Sequence, residues 1–156
     1  MKNSKKWNIN ILLCEECDER MENIKNIFNS LYTKKDGNVH FDIVTIMNAI
    51  NPDEERFGLY YFIEKVSKEN SMISYVGGLV CDRIGGRDGY DSTCGMERMS
   101  VDLDSFPGLG QYEIKVFKHD GNDAKEISGD EKEIKHYYNP DKLISTYPFE
   151  IKKIDD

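Results

Sequence analysis

In the run "YEIKVF", Tyr112, Ile114 and Val116 alternate with Glu113 and Lys115, and Lys118 follows on the charged side. A period of two marks a pleated strand with one face on a core and one face toward water, because successive side chains point in opposite directions. Comparable runs occupy residues 8–14, 40–50, 58–67, 71–80, 98–106 and 147–154, all rich in Ile, Val, Tyr and Phe, the residues that suit a pleated surface. Turn chemistry separates them: "KKDGN" at 34–38, "NPDEERFG" at 51–58, "SKEN" at 67–70, "GGRDG" at 85–89 and "FPGLG" at 106–110. Short strands recurring between turns predict an all-β chain. The expected fold is a single Greek-key (immunoglobulin- or C2-like) antiparallel β-sandwich of about seven to eight strands.

With 156 residues the chain is the size of one domain, large enough to bury a core without disulfide staples. We read 1–156 as that single domain, with 1–6 as a flexible tail; no sequence repeat or Pro/Gly/Ser-rich linker divides it. The formal net charge of −8 argues against general binding to phosphate backbones, which needs a basic face. The segment "WNINILLC" that follows the first lysines is too short and too interrupted by Asn for a secretory signal. No apolar run approaches the roughly 20 residues that span a bilayer. These features predict a cytoplasmic protein with no membrane association. In a reducing compartment Cys14, Cys17, Cys81 and Cys94 are expected as thiols or metal ligands, not disulfides.

Two segments resist the period of two. In "DERMENIKNIFNSLY" the residues Met21, Ile24, Ile27, Phe28 and Leu31 recur at intervals of three and four, the spacing of a helix; a strand over 24–33 is the alternative. The stretch "GDEKEIKHYYNPDKLI" reads as a loop with one helical turn. Ahead of the strand at 112, Pro107 and Gly108 make a tight turn and Gly110 lets the backbone bend into the strand. Gly110-x-Tyr112 resembles the tyrosine corner of Greek-key sandwiches.

Taken together, "ILLCEEC", "NIKNIFNSLY", "FPGLGQYEIKVFKHDG" and "PFEI" resemble a family of uncharacterised bacterial β-sandwich domains of unknown function. That family begins with a strand ending in Cys-Glu or Cys-Asp and later carries a Pro-Gly-x-Gly-x-Tyr turn, a "dG" hairpin and a closing strand. This chain departs from the pattern in having Glu22 and Asn23 where the family has Gly-Lys, and in a long insertion-like loop at 82–97. The resemblance implies a β-sandwich and a strand, not a helix, over 24–33. It brings no activity with it.

Three features invite chemistry. Cys14-Glu-Glu-Cys17 has the spacing with which two thiolates grip one zinc; Cys81 and Cys94 would complete a four-thiolate site if the strand ends met. The bland reading leaves Cys14 as a small buried hydrophobe. The loop "CDRIGGRDGYDSTCG" offers Arg83, Arg87, Asp88, Tyr90 and Asp91 as binding residues on flexible backbone. The segment "HDGNDAKEISGDE" supplies Asp120, Asp123 and Asp130 for calcium, but the sixth position of an EF-hand loop starting at Asp120 is Lys125 instead of Gly; a hairpin turn at "HDG" is the simpler reading. No catalytic constellation is found: there is no Walker, nucleophile-elbow, HExxH or dinucleotide motif. His40, His119 and His136 are read as surface residues.

The expectation is a non-enzymatic protein-binding or interaction module with no cofactor, such as a bacterial or phage accessory or inhibitor protein, acting through an end loop or a sheet edge on an unidentified protein partner. The alternative is a cysteine-based zinc domain of structural or catalytic role. Self-association through edge strands is the third reading.

Overall fold

The computed structural model describes residues 8–20, 23–32, 39–50, 56–66, 73–81, 93–103 and 109–153. Among them the chain is mostly β, in two sheets, with one α-helix and two 3-10 turns. The strands are β1 (Asn8–Cys17), β2 (Ile24–Ile27), β3 (Ser30–Tyr32), β4 (Val39–Ile50), β5 (Phe57–Lys65), β6 (Ile73–Cys81), β7 (Thr93–Leu103), β8 (Gly110–Asp120) and β9 (Leu143–Lys152). A four-stranded sheet has the order β2-β1-β4-β7 and a five-stranded sheet the order β3-β9-β8-β5-β6. The five-stranded sheet curls as a half-barrel. Every pairing is antiparallel except β3 with β9, which is parallel. No described helix is long and apolar enough to cross a membrane.

The described strands number nine, more than the seven to eight expected, because the helix-spaced segment is two strands. Phe28 N–H donates to the Leu13 carbonyl at 2.9 Å, which keeps this end of β2 beside β1. One residue later the Asn29 carbonyl accepts from Glu150 N–H at 2.9 Å, so the chain has passed to the other sheet. Phe28 and Leu31 reach the same core from opposite sides of this crossing. Two short strands offset by a corner thus mimic the spacing of one amphipathic helix.

The core between the sheets draws Ile11 and Leu13 from β1, Phe41 and Ile43 from β4, and Leu59, Tyr61, Ile114 and Val116 from the five-stranded sheet. A polar bond crosses it: the hydroxyls of Thr45 on β4 and Tyr61 on β5 lie 2.6 Å apart, both buried. One hydroxyl donates to the other, which offsets part of the cost of placing them there. Tyr112 is buried and its ring stacks on Phe149 with centroids 5.5 Å apart. The bend before it is real: Gly110 has φ +136°, a conformation that side-chain-bearing residues rarely adopt.

Strand β5 is buried on every residue from Phe57 to Ile63, where alternation predicted one wet face. Its outward side chains Tyr60 and Phe62 join Phe117 and Tyr137 in a second apolar cluster, closed by Ile127, Ile134 and Tyr138. The cover is the segment joining β8 to β9. "HDG" is therefore not a tight hairpin: it leads into a 3-10 turn (Gly121–Asp123), helix α1 (Glu131–Tyr137) and a second 3-10 turn (Pro140–Lys142). Helix α1 spans seven residues, longer than the single turn expected, and starts on a capping box. Glu133 N–H donates to Asp130 Oδ1 at 2.8 Å and Asp130 N–H to Glu133 Oε1 at 3.4 Å, satisfying two otherwise orphaned helix donors.

Candidate metal centre

Along β8 the outward-facing positions run Lys115, Phe117 and His119, so the alternation that buries Ile114 and Val116 in one core aims His119 into the covered face. His119 is buried against Tyr60, Tyr137 and His136, with ring centroids 5.5, 4.7 and 5.7 Å away. This corrects its reading as a surface residue. His40 and His136 lie partly or largely exposed, each beside a carboxylate: His40 Nδ1 is 2.6 Å from Asp102 Oδ1, and His136 Nε2 is 3.2 Å from Asp123 Oδ1.

The turn after β8 is held from several directions. Gly121 N–H donates to the Arg56 carbonyl at 2.9 Å, and Arg56 Nε donates to the Ala124 carbonyl at 2.6 Å. The Asp123 carbonyl accepts from the Tyr137 hydroxyl at 2.6 Å, and the single Tyr60 hydroxyl proton lies between the carbonyls of Lys125 at 2.5 Å and Asp123 at 3.0 Å. Lys125 N–H donates back to the Tyr60 hydroxyl at 2.8 Å. Backbone fixed in this way keeps the Asp123 carboxylate beside α1, whose last turn carries His136.

The result is a cluster of two imidazoles and one carboxylate. One ligating atom from each of His119, Asp123 and His136 lies within 4.8 Å of the others, and this is the single group of three or more such side chains among the described residues. The Nε2 of His119 is 3.0 Å from the Tyr137 carbonyl. A carbonyl only accepts, so Nε2 carries the proton and Nδ1 keeps its lone pair. Burial, reinforced by the nearby His136, lowers the His119 pKa, although the bond to the Tyr137 carbonyl and the Asp123 charge pull the other way. Neutral imidazole is the form that ligates metals.

Among the described residues Cys14, Cys17 and Cys81 do not form one ligand cluster. Cys14 and Cys17 are buried in a small cluster with Val44, flanked by Leu12, Ile24 and Ile46. Cys81, at the end of β6 in the other sheet, packs against the shared core, and the Cys94 side chain lies outside the described residues. Burial, with the Cys17 and Asp42 charges adding to it, pushes the Cys14 thiol up to about 11. The Cys17 thiol is raised as well, first by burial and then by Asp18 and Asp42. Such thiols are poor nucleophiles. Beside them Asp42, buried on β4, accepts from Cys17 N–H at 2.8 Å and Ser100 Oγ at 2.7 Å, so its carboxylate serves as an internal brace.

The calcium triad separates too. Asp120 pairs with Lys118 at 2.6 Å, Asp130 caps α1, and only Asp123 faces the histidines. The binding loop with Arg83, Arg87, Asp88, Tyr90 and Asp91 lies outside the described residues. Sequence reading missed the histidine cluster because 119 and 136 are separated by a turn, a loop and most of a helix. The legible signals were Asp130-x-x-Glu133, a helix start, and the alternation that turns His119 inward under whatever follows it.

A second concave feature lies at the β2–β3 side, where both strands are sheet edges. A groove of about 420 Å³ is lined by Glu15, Glu16, Lys25, Asn26, Leu31, Tyr32 and His40. Tyr32 in its lining is 54% exposed, and Ile27, next to the lining residue Asn26, is 63% exposed, high values for large apolar side chains. No protein-family model matches the sequence, and no curated protein matches it.

Proposed function

We propose that this chain is a non-enzymatic, cytoplasmic interaction module of β-sandwich type that takes an extended segment of a protein partner at its β2–β3 edge. One observation carries the reading: the groove beside the two edge strands, lined by Glu15, Glu16, Lys25 and His40, with the exposed Tyr32 in its wall and the exposed Ile27 on β2 next to the lining residue Asn26. An edge strand offers unpaired backbone groups to an added strand, and side-chain pockets beside it supply selectivity. The formal charge of −8 favours a partner segment carrying Lys or Arg. The sandwich reading is supported by a core shared between the sheets and by chain crossings from one sheet to the other, as at β2–β3 and β4–β5. It is the fold that the family resemblance implies.

The test compares partner recovery by Ile27→Arg/Tyr32→Arg with that of Val66→Arg/Leu109→Arg, which alters two other exposed apolar side chains. The reading expects one protein captured by the wild type to be lost from the first variant and kept by the second. Light scattering separates a second copy of the chain from a foreign partner. A partner retained equally by both variants ends the proposal.

A further inference from the structure

We infer that His119, Asp123 and His136 form a binding site for a divalent transition-metal ion such as Zn2+, which ties the covering segment to the five-stranded sheet. The inference rests on different residues from the edge groove and stands apart from the interaction reading.

Three observations carry it. The ligating atoms already lie within 4.8 Å of one another, with His136 Nε2 and Asp123 Oδ1 at 3.2 Å. Ligands on one tetrahedral zinc, with bonds of roughly 2.0–2.1 Å, sit roughly 3.4 Å apart, so binding needs only a small contraction at two exposed side chains. The least adjustable ligand, His119, is buried and donates its Nε2 proton to the Tyr137 carbonyl at 3.0 Å. Ligating histidines are commonly held in this way by an outer hydrogen bond, which sets tautomer and ring orientation. Third, the Asp123 carbonyl accepts from the Tyr137 hydroxyl at 2.6 Å, so the backbone of one ligand is held before any ion arrives.

The donor set selects the ion. Two imidazoles and one carboxylate suit Zn2+, Co2+, Ni2+ or Cu2+, whereas Ca2+ and Mg2+ prefer oxygen shells. Three protein ligands leave a position for water. The three residues come from β8, the 3-10 turn and α1, so one ion bridges three elements that otherwise meet through the second apolar cluster.

The test uses the full chain without a purification tag, stripped of metal and kept reduced at pH 7.5. Titration calorimetry with Zn2+ is expected to give one equivalent, and saturation at a hundredfold the Kd raises Tm by about 5–10 °C. Ca2+ and Mg2+ are expected to leave Tm unchanged. His136→Ala and Asp123→Asn, both at exposed positions, should keep the metal-free Tm within about 2 °C, in line with surface substitutions, and lose the Zn2+ response. Cys14→Ser should keep that response. The inference is overturned if millimolar Zn2+ leaves the wild-type Tm unchanged, if His136→Ala binds as tightly as wild type, or if Cys14→Ser abolishes binding.

Discussion

Replacing Phe62 by Ala tests whether the outer face of the five-stranded sheet is a second core. Phe62 has no exposed surface, and its ring meets Tyr75, Phe117 and Tyr138 with centroids 5.4, 5.5 and 5.4 Å away. The contacts with Phe117 and Tyr138 are edge-to-face, at 89° and 84°. Truncating a fully buried Phe removes its transfer free energy and leaves a cavity, together about 3–5 kcal/mol. Each aromatic pair contributes about 0.5–1.5 kcal/mol beyond area, already inside that range. For a chain of this size the loss lowers Tm by about 6–20 °C. Had the outer face been wet, as strand alternation alone predicts, the same change would cost less than about 1 kcal/mol. Urea unfolding followed by far-UV circular dichroism measures the difference, with Phe62→Leu as a milder variant expected at about 1–1.5 kcal/mol. A Phe62→Ala cost below about 1 kcal/mol with an unchanged m-value would refute the covered-face argument.

Glu64, Lys115 and Tyr138 form a half-buried polar triad under the same cover: Lys115 Nζ lies 2.7 Å from Glu64 Oε2, and the Tyr138 hydroxyl donates to that oxygen at 2.6 Å. Burial pushes the Glu64 carboxyl up, but the bonds from Lys115 and Tyr138 outweigh it and hold the pKa below 4.5, while the bond to Glu64 raises Lys115 above 10.5. A lowered acid contributes stability above its unfolded pKa and loses it as pH falls; a raised base contributes below its unfolded pKa and loses it as pH rises. Glu64→Gln is therefore expected to cost about 1–2 kcal/mol at pH 7, with the difference from wild type shrinking toward pH 3; a pH-independent difference contradicts the assignment. Gly77 has φ +153° and Gly110 φ +136°, so Gly77→Ala and Gly110→Ala should each destabilise by about 1–3 kcal/mol in the same urea assay. No loss of stability at either position would contradict these backbone conformations. Cys14 and Cys17 should resist alkylation at pH 8 in the folded protein and react once denaturant is added; labelling at the rate of a free peptide thiol would contradict their burial.

Local alternation made the strands legible. Residues 112–117 alternate because one side of β8 lies on the shared core. Gly110 was equally readable, since its backbone conformation is a local property. Tertiary structure decided the rest. Residues 24–32 carry helical spacing, yet they split between two sheets because Phe28 and Asn29 bond to different neighbours. Strand β5 lost its alternation to a cover 60 and more residues away in sequence, which turned Tyr60 and Phe62 from exposed positions into core. The same cover brought His136 to His119 and Asp123. Periodicity reports which side of a strand is apolar; only the packing of distant segments determines what each side meets. C-x-x-C spacing could not show that its thiols lie buried in an apolar cluster, nor that Cys81 belongs to the other sheet.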